Sequence, residues 1–408
     1  MITLDEINVN GKTVFVRIDL NCPVDKVTLK VQDSPRLEGH AKTVKEIANK
    51  GAKVVLLAHQ GRKGDWDFLP LQQHAELFEK HVGKPVKFVP DVCGVAAKVA
   101  ITNTKSGEII LLDNVRNLDD ETTFKTVEEC KNATIVKELG QFCDVFVLDA
   151  FSVAHRVQAS VVGFYQKTFV AGREMQHELE ALDKVSKPKR PVVFVLGGSK
   201  PEDSVGIMKE FLQKGKMDAC LTCGVLGIVM MKAQTGKDLG EATEKFLKDS
   251  GAAEFLPAAK ELLEKYKGKI MVPSDVAFLA GDARQECSSE STPCAGAIMD
   301  IGKRTMQEYS NSIASASTII INGPAGVYEQ DAFGAGTQAI LKAIEQSRGF
   351  SLVGGGHTIS AIEKYRIDKS KIGHISLAGK ALIAYLSGET LAGVKLVKDA
   401  RMDGIIIA

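Results

Sequence analysis

Along the chain, short apolar runs alternate with longer stretches in which apolar residues recur every three or four positions. That alternation predicts strands followed by helices. In the first half the runs are KTVFVRIDLN, AKVVLLAHQGR, KFVPDV, SGEIILLDNVR and DVFVLDAFSVAHR. In the second they are PVVFVLGGSK, MDACLTCGV, KIMVPSDVAF, STIIINGPAGVY, FSLVGGGHT and HISLAGK. Strands that are apolar without strict alternation suit a parallel sheet covered on both faces. Helical spacing between Leu37 and Lys50 ends at Gly51, and a second helix is expected from about Gly172 to Val185, broken by Pro188 and Pro191. The class expected is α/β, with βαβ units in each half. A chain of 408 residues exceeds what one core usually organises, so two domains are expected, parted near the Lys/Pro-rich exit of the second helix.

Ligands of open parallel sheets bind beyond the carboxyl ends of the strands, so the residue types found there are informative. In the first half those ends carry Arg17, then His59 and Arg62, then Arg116, then His155 and Arg156, with Arg36 expected from the loop before the first helix. Guanidinium groups delivered from several strand ends suit a small polyanion, because the planar fork pairs with phosphate and carboxylate. Asp19 and Asn21 would meet its hydroxyl groups. In the second half the strands end in small residues instead. Gly197 and Gly198 are expected to expose backbone N–H groups to phosphate, with Lys200 beside them and Glu202 and Asp203 in the first turn of a helix. Gly323 and Gly354 to Gly356 extend a backbone suited to a nucleotide.

Composition narrows the choice. Lys and Arg total 52 against 51 Asp and Glu, which argues against the broad positive field of a nucleic-acid or membrane-surface binder. No signal-like start and no bilayer-length apolar run occur, so a cytoplasmic protein is expected. Eight scattered cysteines read as reduced, packed thiols. Cys220 and Cys223 lack a second pair with zinc-like spacing, and a bond between Cys287 and Cys294 would fit an oxidising or hyperthermophilic setting. Neither a P-loop nor a dinucleotide fingerprint is present, which disfavours a nicotinamide dehydrogenase.

Taken together and in order, VRIDLNCP, AHQGR, LLDNVR, DAFSVAHR, GGSKPEDS, DIGKRT, NGPAGVYE and GGGHT resemble the phosphoglycerate kinase family over essentially the whole length, with archaeal-like features. The resemblance implies two doubly wound, Rossmann-like domains facing a central cleft. They would be a phosphoglycerate domain (1–170), an interdomain helix and linker (171–190), a nucleotide domain (191–387) and a C-terminal segment (388–408) returning to the first domain, its terminal IIIA packed. It implies that Arg17, Asp19, Asn21, Arg36, His59, Arg62, Arg116 and Arg156 bind phosphoglycerate. It also implies that Gly197, Gly198, Lys200, Cys223, Gly224, Asn322, Gly323, Pro324, Glu329, Gly354, Gly355, Gly356 and Thr358 bind the nucleotide, with Glu329 on the ribose. The implied reaction is reversible phosphoryl transfer between 1,3-bisphosphoglycerate and ADP, with Mg2+ carried by ATP or ADP. Small-molecule substrates are its only implied partners, in a monomer or homodimer.

Three departures from the family pattern stand out: Ser204 where a second lysine is usual, His357 where an aspartate follows the triple glycine, and SLAGK, with Leu377, Ala378 and Lys380, in place of the last glycine-rich run. Catalytic roles are expected for Arg36, Lys200 and Lys380, the last restoring the charge missing at Ser204. A carboxylate acceptor is already ionised, so positioning and charge neutralisation would carry the catalysis, with domain closure excluding water. The metal ligands are left open, His357 not among them. The alternative is a non-catalytic nucleotide- and anion-binding regulator of the same fold.

Overall fold

The structure is a computed structural model that describes residues 1–400; the terminal IIIA lies outside the described residues. The chain forms two compact units, one of residues 1–180 together with the segment from 390, the other of residues 181–389. The division falls inside the helix Arg173–Ser186.

In the first unit six strands, β1 (Thr13–Arg17), β2 (Lys53–Leu57), β3 (Val86–Val89), β4 (Ile109–Leu112), β5 (Val145–Leu148) and β6 (Thr168–Ala171), form a sheet in the order β3-β4-β2-β1-β5-β6. Every pairing is parallel, with Val14 of β1 opposite Val54 on one side and Val145 on the other. Apolar side chains on both faces explain why β2, β4 and β5 are almost wholly buried. Phe146 stacks on Phe164 and Phe169 beneath the sheet, with ring centroids 5.1 Å apart in each pair. The edge strand β6 was not expected: its four residues TFVA are too short to declare a period and precede a strong helical pattern. The helix Ala392–Asp399 belongs to this unit, and its Gly393 N–H donates to the carbonyl of Ala154.

In the second unit β7 (Val192–Leu196), β8 (Ala219–Thr222), β9 (Ile270–Met271), β13 (Thr318–Asn322), β14 (Phe350–Gly354) and β15 (His374–Ile375) form a second parallel sheet, β15-β14-β13-β7-β8-β9. An antiparallel sheet, β11-β10-β12, made of β10 (Asp275–Ala280), β11 (Ala283–Ser288) and β12 (Ile298–Ile301), is inserted between β9 and β13. The run KIMVPSDVAF, expected as one strand, is therefore two, because Pro273 interrupts the ladder between β9 and β10. Both large sheets reverse their winding beside their first strand, between β1 and β5 and between β7 and β13. Those are the points at which an open parallel sheet leaves a crevice beyond its carboxyl edge.

Candidate active-site pockets

Arg17 is the last residue of β1 and is fully buried. Its Nη2 donates to His59 Nδ1 at 3.0 Å, while its Nε and Nη1 have no hydrogen-bond partner. Two orphaned donors on a buried guanidinium are costly unless a ligand takes them up. Burial, and then the charge of Arg17, hold His59 well below the ordinary histidine range, so the neutral ring accepts that bond. Asp19, two residues on, is gripped by Arg36, by the Ser152 hydroxyl and by the backbone N–H of Asn21. Burial alone would raise its carboxyl, but the charge of Arg36 and these hydrogen bonds outweigh it and hold the group ionised.

Arg36 was expected on a loop. It is instead the second residue of the helix Pro35–Asn49, whose N-cap Ser34 accepts its backbone N–H at 3.4 Å. Proline at the first helical position fixes φ where the N–H is not needed, so the helix begins before Arg36 rather than after it. Arg116 donates to the carbonyl of Gly61 and is lowered to about 10, by burial first and then by Arg156 and Arg17, with Arg62 adding to it. Arg156 feels Arg62 and Asp19 in turn, and its Nε donates to His155 Nε2 at 3.2 Å, so His155 orients it. Arg62 itself is exposed. Asn21 Oδ1 accepts the N–H of Gly61 at 2.9 Å, a loop-fixing bond. The expected basic residues therefore do converge. Two members were missed. His40 accepts the Asp19 N–H on Nε2 (3.2 Å) and holds Asp149 through Nδ1 (2.8 Å), and Glu121 is buried and feels the charges of Arg17 and Arg116. Helical spacing marks His40 as an inward position, but nothing in the sequence marks Glu121.

In the second unit the glycines behave differently from expectation. The N–H of Gly197 donates to the Asn322 carbonyl at 3.0 Å and that of Gly198 to the Pro324 carbonyl at 2.8 Å, so neither donor is left for an anion. What the glycines provide is close approach. A Cβ on Gly197 would lie 2.4 Å from the Pro324 oxygen, one on Gly224 2.7 Å from the Gly198 nitrogen, and one on Gly323 2.5 Å from the Gly197 carbonyl. Three loops after β7, β8 and β13 thus interlock, and exposed Ser199 and Lys200 are left at the start of the helix Pro201–Gln213. Thr358 Oγ1 is likewise engaged, accepting the Gly323 N–H at 3.0 Å, whereas the buried Asn322 Oδ1 has no partner. Cys223 is buried under the junction, and burial pushes its thiol and that of Cys220 far up, away from thiolate chemistry.

Beside the junction lies a cavity of about 440 Å³. Gly198, Gly224, Pro324 and Glu329 line it, and its apolar wall comes from Val225, Ile228, Phe246 and Val276. An apolar slot ending in glycines and the exposed carboxylate of Glu329 suits a flat heterocycle with hydroxyl groups nearby. Glu329 stands 3.2 Å from His357 Nδ1, and both side chains are exposed to solvent. Gly354 is packed against Leu382, whereas Gly356 opens to free space. Ser204 is fully buried, its hydroxyl donating to the Gly197 carbonyl at 3.4 Å, so a lysine could not be accommodated there without rearrangement. Lys380, exposed, begins the helix Lys380–Leu386. Burial and Glu202 raise the Asp203 carboxyl, and Lys200 and Lys380 both draw it back. Cys287 and Cys294 are joined in the antiparallel insert. Among the described residues no cluster of three His, Cys, Asp or Glu forms a metal cage, and no helix is long and apolar enough to cross a membrane.

A family model described as phosphoglycerate kinase matches residues 4–389. The phosphoglycerate kinase of Methanobacterium bryantii is 40% identical over 404 residues, covering 98% of each chain. That of Methanothermobacter thermautotrophicus is 40% identical over 401 residues, covering 98% of this chain and 97% of the other. Among solved structures, the phosphoglycerate kinase of Pyrococcus horikoshii OT3 superposes with a TM-score of 0.89 at 35% identity, over 98% of both chains. That of Coxiella burnetii gives 0.82 at 30%, over 98% and 100%.

Proposed function

This chain belongs to the phosphoglycerate kinase family, and on that basis we propose how its two pockets share the reaction. The reaction is reversible phosphoryl transfer between 1,3-bisphosphoglycerate and ADP, giving 3-phosphoglycerate and ATP. The observation that carries the assignment of pockets is Arg17, buried with two unpartnered guanidinium nitrogens among Arg62, Arg116 and Arg156. A small trianion is what such a set lacks. In this reading Arg17, Arg62, Arg116 and Arg156 bind phosphoglycerate. Asp19 and Asn21 fix the loop and meet the hydroxyl, neutral His59 keeps Arg17 in place, and Arg36, tied to Asp19, neutralises the moving phosphoryl group.

The nucleotide lies with its base in the apolar cavity of the second unit, its ribose toward Glu329 and its phosphates toward Lys200, Lys380, Asn322 and Gly355–Gly356. The acceptor carboxylate needs no general base, so charge and position do the work. Magnesium, when bound with the nucleotide, supplies further neutralisation of phosphate charge. It favours oxygen ligands and commonly takes one or two carboxylates with substrate phosphates, a role for which Asp203, beside Lys200, is the fitting carboxylate. A cytoplasmic enzyme, monomeric or homodimeric, completes the proposal. The regulator alternative is not favoured, given relatives of the same length and name at about 40% identity. A coupled assay with ATP, magnesium and 3-phosphoglycerate tests the assignment: ADP should appear only when both substrates are present, and absence of turnover in either direction would overturn it.

A further inference from the structure

Of the carboxyl groups buried in the first unit, Asp19 and Glu121 feel the charges of its arginines, and they differ in their partners. Asp19 has a guanidinium, a hydroxyl and a backbone N–H upon it. Glu121, only 1% exposed, has none of the arginines in hydrogen-bond contact. Its Oε1 accepts the Ser160 hydroxyl at 2.6 Å and its Oε2 the Ser160 N–H at 3.0 Å. The charges that face it come from β1, as Arg17, and from the turn after β4, as Arg116. From the helix Val127–Cys130 the neutral Cys130 thiol approaches, pushed up to about 12 by burial and then by Glu121 itself. The acidic neighbours on its own turn are engaged elsewhere, Asp119 with Lys63 and Asp120 with Thr134. Glu121 is thus a buried carboxyl balanced only through space by Arg17 and Arg116, the residues that an incoming anion claims.

We propose that Glu121 is the proton-linked counter-ion of the arginine pocket: when phosphoglycerate takes the free nitrogens of Arg17, Glu121 shifts to its protonated form by drawing a proton from solvent wherever it was still ionised, so that substrate binding is coupled to proton uptake. The inference rests on the assignment of this pocket to phosphoglycerate. The proton comes from water or buffer and ends on a Glu121 carboxyl oxygen, with no other bond made or broken. Burial first, offset by Arg17 and Ser160, leaves this carboxyl raised to about 7 in the empty pocket. A bound polyanion moves it higher, since like charge disfavours the ionised form. The sign follows: above pH ~7 the complex holds more protons than the free components, so affinity falls as pH rises. The substrate phosphate loses its own second proton near pH ~6, below this window, and acts in the opposite sense.

Titration calorimetry of 3-phosphoglycerate at pH 7.5, in buffers of different ionisation enthalpy, reads the protons directly. The wild-type protein should take up about 0.5–0.8 proton, and Glu121→Gln should take up almost none, with affinity flat above pH ~7. Ser160→Ala, which removes one hydrogen bond to the ionised form, should move the uptake to higher pH, and it carries the test if Glu121→Gln does not fold. Binding without proton uptake, or uptake unchanged in Glu121→Gln, would overturn the coupling alone. No binding at any pH would overturn the assignment of the pocket, and the coupling with it.

Discussion

Ser204 and Lys380 show how a side chain's burial can decide what its sequence position leaves open. At position 204 the chain faces the underside of the loop after β7, and the small hydroxyl suits that space. The second cation near Asp203 comes instead from Lys380, on a different helix. If Lys380 stabilises the transferring group, Lys380→Ala should lower kcat by about 10²-fold with little change in nucleotide KM, and Lys200→Ala by about 10²–10³-fold. Steady-state kinetics of both variants decides: a wild-type kcat in Lys380→Ala would remove it from the site. Gly323 tests the interlocked loops. Its φ of +90° belongs to the region that favours glycine, and an added Cβ would meet the Gly197 backbone at 2.5 Å. Gly323→Ala should cost about 2 kcal/mol or more in urea denaturation and weaken ADP binding; unchanged stability would mean that the loops are not locked as described.

At the scale of elements, the antiparallel insert is the piece that sequence periodicity did not separate. It supplies Val276 and Ile298 to the wall of the apolar cavity. It also ends the following helix's need for a cap of its own. The helix Lys303–Ala314 starts at Gly302, which has no side chain to offer. Asp275, at the head of β10, accepts the Thr305 N–H at 2.7 Å and the Arg304 N–H at 3.0 Å. Removing this distant cap, in Asp275→Ala, leaves two first-turn donors without a protein partner and should cost about 1–2 kcal/mol, measured by chemical denaturation. A loss below about 0.5 kcal/mol would assign the capping to water.

For the whole molecule, two compact units with a pocket each lead to a separable response to ligands. 3-Phosphoglycerate should slow amide exchange in β1, β5 and the helix Pro35–Asn49, and ADP in β7, β13 and the helix Pro201–Gln213. At a hundredfold excess over Kd each ligand should stabilise its own unit by about 2.7 kcal/mol. Hydrogen-exchange mass spectrometry with each ligand alone checks this, and protection in the opposite unit would reverse the assignment of the pockets. A single unfolding free energy should not describe the chain, because multidomain proteins commonly depart from two-state behaviour.

The sequence by itself determined the α/β class, the parallel strands and the basic residues at their ends, because a strand buried on both faces is an unbroken apolar run, a signal that survives in one dimension. Order and spacing of several motifs carried the family. The tertiary structure alone decided what each side chain is paired with. It put Arg36 on a helix rather than a loop, turned the N–H groups of Gly197 and Gly198 toward carbonyls, buried Ser204, and brought Glu121 within the field of Arg17. Burial and hydrogen-bond partners depend on residues far away along the chain, as Arg17 and Glu121 are, and no local pattern records them.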